Sequence, residues 1–134
     1  MRILIVEDEY YLAADLAAAV AATGAEVVGP VGTLADAEAA LAGGAIDRAV
    51  IDVNLHGAMS FPLADKLDAA RIPYLIATGY SAESLPEKFR DKPRLEKPFR
   101  PERVAAAIRR MDWGEGGLHP RARLATSVRR GGTP

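Results

Sequence analysis

MRILIVEDE, residues 1–9, sets four consecutive apolar residues directly before three carboxylates. An apolar run of roughly 4 to 8 residues that stops abruptly at polar ones is typical of a strand buried in a parallel sheet. The run is too short for the core of a signal peptide, and no segment approaches the roughly 18 to 20 apolar residues of a membrane span. We therefore expect a buried first strand in a soluble, cytoplasmic protein with no membrane insertion.

Similar apolar runs recur downstream and alternate with helical patterns. They lie at residues 27–28, at 49–51 together with Val53, at 74–77 and around Leu95. Between them, apolar residues recur with helical spacing. Strands that alternate with helices predict an α/β fold in which helices cover both faces of a parallel sheet. We expect a flavodoxin-like (βα)5 three-layer sandwich with sheet order 2-1-3-4-5 and the first strand central.

Capping signals mark the predicted helix ends. Thr33, with Asp36 three residues later, forms a box-like cap, and Ser60 precedes the third helix. Pro101 lies just inside the last helix, where its missing N–H costs nothing. Pro86 would instead interrupt the fourth helix in its interior. The sequence therefore predicts a short or mobile fourth helix.

Charge divides the chain into two parts. The whole chain carries 17 Lys+Arg and 18 Asp+Glu, a formal net charge of -1. Residues 1–111 contain 13 of these basic and 16 of these acidic residues, a net of -3, and residues 112–134 contain 4 and 2, a net of +2. We predict one domain at 1–111 and a basic Gly/Arg-containing C-terminal tail at 112–134. This balance argues against direct binding of nucleic acid.

Polar side chains stand where four of the predicted strands end. Glu7 and Asp8 follow the first strand, Asp52 ends the third, Thr78 the fourth and Lys97 the fifth. The carboxyl ends of parallel strands lie on one edge, so these groups are expected to share a crevice. Three carboxylates suit a hard divalent cation, which points to Mg²⁺, and an ammonium and a hydroxyl suit an arriving anion. The pattern predicts phosphoryl transfer to a carboxylate.

Four short segments together resemble the receiver domain of bacterial two-component response regulators, over about residues 1–111. They are ILIVEDE (3–9), AVIDVNLHG (49–57), YLIATGY (74–80) and EKPF (96–99). The resemblance implies that Asp52 is the phosphoacceptor for a histidine kinase or phosphotransfer protein. It also implies that Asp8 and Asp52 bind Mg²⁺ directly, that Glu7 acts through water and that the main-chain carbonyl of Asn54 is a further ligand.

The same resemblance assigns roles at the far side of the crevice. Lys97 would contact the phosphoryl oxygens, and the peptide bond from Lys97 to Pro98 would be cis, which proline permits. Thr78 would move to bond the phosphoryl group and so carry the signal out of the site. Such a protein catalyses its own phosphorylation and dephosphorylation within two-component signalling or a phosphorelay, and it is not a metabolic enzyme.

The fifth strand departs from the common receiver pattern. Arg94 stands where most receivers carry an aromatic residue that turns inward when the threonine moves. Tyr80, two residues after Thr78, is our candidate for the coupled ring, and Gly79 frees the backbone between them. This stretch partly resembles a stand-alone alphaproteobacterial subfamily with a Phe-Ala-Thr-Gly motif, although Leu75-Ile76 replaces the phenylalanine.

We therefore expect a single-domain response regulator that signals by phosphorylation-dependent binding of an unidentified downstream protein. A phosphohydrolase with an aspartyl-phosphate intermediate is disfavoured, because Asn54 stands where its second acid is expected. A phosphate sink, a phosphorelay intermediate without its own output and a constitutive binding module stay open, as does a homodimer. Glu7 or Asp8 could merely cap the first helix, and His56 is expected to be solvated.

Overall fold

Strands and helices alternate along the computed structural model, which describes residues 1–55, 57–79 and 85–111. The elements are β1 (Arg2–Val6), α1 (Tyr10–Ala21), β2 (Glu26–Val31), α2 (Leu34–Ala42), β3 (Arg48–Asp52), β4 (Asn54–Leu55), β5 (Ala58–Met59), α3 (Phe61–Ala69), β6 (Tyr74–Thr78), β7 (Arg94–Glu96) and α4 (Pro101–Met111). His56, Tyr80 with the rest of residues 80–84, and the predicted tail at 112–134 lie outside the described residues. No described helix has the length and apolar character needed to cross a membrane.

Five strands form one parallel sheet in the order β2-β1-β3-β6-β7. Strands β4 and β5 pair only with each other, as a small antiparallel ribbon. Counting the strands of the main sheet alone gives 2-1-3-4-5, so the predicted flavodoxin-like order is confirmed. The ribbon was not predicted, because strands of two residues are too short to show any periodicity.

Each face of the sheet has its own apolar core. Successive side chains of a strand point to opposite faces, so Leu4 packs in one core while Ile3 and Ile5 pack in the other. The first core lies against α2 and α3, and the second lies against α1 and α4. Burial of one such side chain contributes about 1.5–3 kcal/mol. The two cores hold the strand ends in fixed positions.

The predicted helix starts are only partly correct. Thr33 Oγ1 accepts a hydrogen bond of 3.1 Å from the Asp36 N–H at the start of α2, and α4 begins at Pro101. Ser60 occupies the position before α3, but its side chain does not cap the helix. Its hydroxyl instead donates to the Val53 carbonyl at 3.1 Å. The buried hydroxyl thus ties the helix start to the residue after β3.

The segment between β6 and β7 contains one turn of 3-10 helix, Glu87–Phe89, in its described part. Pro86 stands immediately before this turn, in agreement with the prediction that it would interrupt a longer helix. Phe89 is fully buried, and its ring stacks on Phe61 with centroids 5.2 Å apart. This stack anchors the end of the segment against the start of α3.

Candidate functional site

A one-residue bulge in β2 sets the position of the acidic residues after β1. Leu4 pairs with Val28, whereas Val6 pairs with Val31, so β2 uses one more residue than β1 over this interval. The Val31 carbonyl then accepts a hydrogen bond of 2.9 Å from the Glu7 N–H. The bulge therefore fixes the backbone where the acidic segment begins.

Gly29 makes this bulge sterically possible. Its φ is +95°, and a Cβ added there would lie 2.8 Å from Val31 N and 3.0 Å from Ile5 O. Side chains rarely adopt this φ, and neither backbone atom can move aside easily. The bond from Gly29 to Pro30 is cis. Sequence reasoning missed this feature, although Gly-Pro is a known signal for a turn or break in regular structure.

The residue that caps α1 is Glu9. Its carboxylate accepts a 2.9 Å hydrogen bond from the Leu12 N–H. Sequence reasoning allowed that Glu7 or Asp8 merely caps this helix, and that alternative is wrong, because Glu9 fills the position. Because Glu9 caps the helix, the side chains of Glu7 and Asp8 are not needed for that role.

Glu7, Asp8 and Asp52 come together at the carboxyl edge of the sheet, and we name this cluster the acidic crevice. Each offers one carboxylate oxygen, and these oxygens all lie within 4.8 Å of one another. Glu7 is 3% exposed, Asp52 is 7% exposed and Asp8 is half-buried. Three carboxylates at this separation repel one another strongly unless cations lie between them.

Lys97 supplies one such cation. Its Nζ lies 2.9 Å from Glu7 Oε1 and 3.1 Å from Asp52 Oδ2. The Lys97 N–H donates to the Thr78 carbonyl at 2.8 Å, and the bond from Lys97 to Pro98 is cis. The ammonium therefore bridges two of the three carboxylates from the opposite side of the crevice.

Burial and neighbouring charges have opposing effects on the pKa values of Glu7 and Lys97. Burial raises the pKa of Glu7 and the Asp52 charge adds to the rise, while the neighbouring Lys97 ammonium partly offsets it. Burial alone would lower the pKa of Lys97, but the Glu7 carboxylate and the Asp52 charge outweigh it and raise that pKa. The charged form of Glu7 is therefore disfavoured in the crevice, whereas the charged form of Lys97 is favoured.

Glu7 Oε1 is a buried oxygen without a well-formed hydrogen bond. It lies close to Lys97 Nζ, but the contact lacks hydrogen-bond geometry, so it is an ion pair only. Glu7 Oε2 in turn accepts from the Glu9 N–H at 3.2 Å. A buried carboxylate oxygen with a lone pair still available, among two further carboxylates, fits a hard divalent cation such as Mg²⁺.

Asn54 and Thr78 border the crevice. The Asn54 N–H donates to Asp52 Oδ1 at 3.3 Å, which places the Asn54 backbone beside the carboxylate. Thr78 is buried at the end of β6, one residue beyond Ala77, the partner of Asp52 in the sheet. The structure thus brings together Glu7, Asp8, Asp52, Asn54, Thr78 and Lys97. Tyr80, the predicted switch residue, lies outside the described residues.

Arg94 lies on β7, away from the acidic crevice. Its side chain is about one quarter exposed, and Nε lies 3.6 Å from Glu96 Oε2. Strand β7 is an edge of the sheet, next to β6 alone. The Arg94 side chain is therefore partly buried at this edge of the sheet, with its Nε shielded from solvent.

The fold and the acidic crevice together define a class, the response-regulator receiver. SdrG from Sphingomonas melonis Fr1 is 43% identical, with a TM-score of 0.75, and the match covers 83% of this chain and 95% of SdrG. The BeF3-activated conformation of SdrG from Pseudomonas melonis Fr1 is 44% identical, with a TM-score of 0.72, over 81% and 92%. The chain matches no protein-family profile and no curated protein.

The response regulator PhyR from Brucella abortus is also similar, at 31% identity and a TM-score of 0.70. That match covers 80% of this chain but 45% of PhyR, so the similarity extends over less than half of the longer protein. The two SdrG matches cover nearly the whole of SdrG and fit a stand-alone receiver. Together with the PhyR match, they show the family of this chain. The chain belongs to the response-regulator receiver family.

Proposed function

We propose that this receiver accepts a phosphoryl group on Asp52 from a histidine kinase or a phosphotransfer protein, with Mg²⁺ bound in the acidic crevice. One observation carries the proposal. Carboxylate oxygens from three residues lie within 4.8 Å of one another, and Lys97 Nζ lies 3.1 Å from Asp52 Oδ2. A site with this composition neutralises the charge that a phosphoryl group brings and the charge that develops during its transfer.

Asp52 is suited to be the nucleophile, because both of its oxygens are oriented. Oδ1 accepts from the Asn54 N–H, and Oδ2 faces Lys97. During transfer a bond forms between one of these oxygens and phosphorus, while the bond from phosphorus to the donor's histidine nitrogen breaks and the nitrogen keeps the electron pair. Bound Mg²⁺ would lower the repulsion between the carboxylates and the incoming phosphoryl oxygens.

The residues around Asp52 would bind the cation and the phosphoryl oxygens. Asp8, Asp52 and the main-chain carbonyl of Asn54 would hold the cation, and Glu7 would act through a water molecule. Lys97 would shift from Glu7 and Asp52 to the phosphoryl oxygens, which are stronger acceptors. The Thr78 hydroxyl would donate to the same oxygens. In this scheme the phosphoryl group replaces the resting contacts of Lys97.

Intact-mass spectrometry tests the phosphoryl transfer. The protein is incubated with Mg²⁺ and a small acyl phosphate, and wild type is compared with Asp52→Asn and with a matched control, Asp91→Asn, which changes an exposed aspartate. Wild type and control are expected to gain one phosphoryl mass, and Asp52→Asn is not. Equal adducts in all three proteins, or a phosphohistidine donor that also fails to label wild type, would refute the proposal.

We also propose that phosphorylation changes the surface to which a downstream protein binds. Two similarities support this: one SdrG structure is a BeF3-activated conformation, and PhyR from Bartonella quintana, 28% identical, is an anti-anti-sigma factor. Tyr80 would be the ring that couples Thr78 to this surface. The domain at 1–111 would contain both the phosphorylation site and the partner-binding surface. Deletion after Met111 should therefore leave phosphoryl acceptance intact.

Amide NMR spectra test the coupling. Addition of Mg²⁺ and BeF₃⁻ to wild type is expected to shift resonances around Asp52 and also along β7, whereas Asp52→Asn should show neither change. Tyr80→Ala should confine the shifts to the strand ends, and Tyr11→Ala, which removes an exposed ring on α1, should behave as wild type. Shifts in wild type that stop at the strand ends would instead favour a phosphate sink or a relay intermediate.

A further inference from the structure

An open groove of about 910 Å³ lies between β7 and α4, and we name it the arginine groove. Four arginines line it: Arg94, Arg100, Arg103 and Arg110. Phe99 contributes an aromatic ring, and two glutamates, Glu96 and Glu102, also line the groove. Its volume lies within the range of about 300–1,000 Å³ that is typical of ligand-binding clefts.

The charge of the groove is opposite to that of the surrounding domain. Its four arginines outnumber its two glutamates, whereas residues 1–111 as a whole carry 13 Lys+Arg and 16 Asp+Glu. Arg103 and Arg110 are seven residues apart on α4, so they lie on one face of the helix, two turns apart. Positive charge therefore exceeds negative charge in this groove, although the domain as a whole is acidic.

Three of these four arginines, all but Arg94, have no ionic partner among the residues that the structure describes. Arg94 Nε is 3.6 Å from Glu96 Oε2, beyond hydrogen-bond distance, and this nitrogen is buried without a hydrogen bond. Arg100, Arg103 and Arg110 are exposed and form no ion pair within the described part of the chain. Guanidinium groups that the fold does not use are available to an external anion.

We propose that the arginine groove binds an acidic segment of a partner protein. Guanidinium groups pair with carboxylates through two parallel hydrogen bonds, which makes arginine the preferred residue for such recognition. Among the described residues, no strand pairs with the outer edge of β7, so an extended segment would also find backbone groups there. Phe99 would pack against an apolar residue of the segment.

Lys97 connects this groove to the acidic crevice, because it lines the groove and contacts Glu7 and Asp52. A shift of Lys97 towards a phosphoryl group would therefore alter the lining of the groove. Only this regulatory step rests on the proposed phosphorylation. The affinity for an acidic segment follows from the groove itself.

Fluorescence anisotropy with a labelled peptide of about ten residues, rich in Glu and Asp with one central Phe, tests the proposal on the full chain. The assay contains neither Mg²⁺ nor a phosphoryl donor, so a failure of the proposed phosphorylation cannot affect it. Wild type is compared with Arg100→Gln/Arg103→Gln/Arg110→Gln. The control Lys66→Gln/Arg71→Gln/Arg109→Gln removes three exposed positive charges elsewhere.

The groove variant is expected to bind the peptide at least tenfold more weakly, and the control within twofold of wild type. Binding should also weaken as salt rises. In wild-type NMR spectra, the peptide should shift amides of residues 94–103 and 110 more than those of α2 and α3. Equal losses in both variants, shifts spread over the surface, no peptide binding, or tighter groove-dependent binding of a single-stranded oligonucleotide would each overturn the proposal.

Discussion

The acidic crevice and the arginine groove share Lys97 but differ in burial and in pairing. In the crevice, Glu7 and Asp52 are buried and held by one ammonium, so each charge depends on the others. In the groove, Arg100, Arg103 and Arg110 are exposed and unpaired among the described residues. Changes in the crevice should therefore alter stability as well as chemistry, whereas changes in the groove should alter binding alone.

Lys97→Met should have the largest effect on stability. It leaves Glu7 and Asp52 as buried like charges, and removing one partner of a buried ion pair costs about 3–5 kcal/mol. Because the Lys97 side chain is 18% exposed, we expect a loss of about 2–3 kcal/mol in the free energy of unfolding. Urea denaturation in the presence of EDTA measures it.

Lys66→Met serves as the control for this measurement, because its ion pair with Glu38 is exposed. It should cost less than about 1 kcal/mol. Mg²⁺ should then restore more stability to Lys97→Met than to wild type, since a ligand that binds the folded state stabilises it. A loss no greater than that of the control would mean that Lys97 does not stabilise the buried carboxylates of the crevice.

Gly29→Ala should have the next largest effect. The new Cβ would combine an unfavourable φ with close contacts to Val31 N and Ile5 O, and we expect a cost of about 2 kcal/mol. Gly24→Ala is the matched control, because Gly24 also has a positive φ, +93°, but has nothing within 4 Å of an added Cβ. Thermal denaturation of both variants measures their loss of stability, and the excess loss in Gly29→Ala is the part due to the close contacts of the new Cβ. Equal costs would mean that crowding at the bulge contributes nothing.

Glu7→Gln should have a smaller effect that changes with pH. The pKa of Glu7 is raised in the folded state above its ordinary value of 4.5, chiefly by burial. Its contribution to stability is therefore fully present below pH 4.5 and is lost as the pH rises through the folded-state pKa. Glutamine does not titrate, so the stability of wild type relative to Glu7→Gln should fall over that window.

Urea titrations in EDTA across this pH range measure the difference, with Glu102→Gln as the control at an exposed position. The control should differ from wild type by a small amount that does not change over the window. If the difference for Glu7→Gln were equally flat, burial would not be raising the pKa of Glu7.

Arg103→Gln should have the smallest effect on stability, below about 0.5 kcal/mol, because its exposed side chain has no ionic partner among the described residues. Differential scanning calorimetry beside wild type measures it. A loss above about 1 kcal/mol would mean that the groove arginines support the fold and are not reserved for a partner.

The two regions also differ in how far the sequence could predict them. The strand ends were predictable, since an apolar run and the polar residue that follows it are neighbours in the chain, as in Val6 with Glu7 or Ile51 with Asp52. The parallel order of the sheet then brings these ends to one edge. The arginine groove was not predicted, because Arg94 and Arg110 meet only when α4 packs beside β7.

The errors have similar physical causes. Glu9 was overlooked as the cap of α1, because three adjacent carboxylates all suit a helix start and only geometry selects one. The bulge at Gly29 depends on the register between β1 and β2, which a single strand does not encode. Ser60 stood at the expected position, but the nearby Val53 carbonyl competed for its hydroxyl.

The acidic crevice is proposed to direct a phosphoryl group to Asp52. The most direct test is to locate that group, by labelling wild-type protein with a phosphorylated histidine donor, reducing the acyl phosphate with borohydride and mapping the modified peptide by mass spectrometry. We expect modification at Asp52 alone, dependent on Mg²⁺ and strongly reduced in Lys97→Met. Modification at Asp8 or Glu7, or labelling of Asp52 that persists unchanged without Mg²⁺, would contradict it.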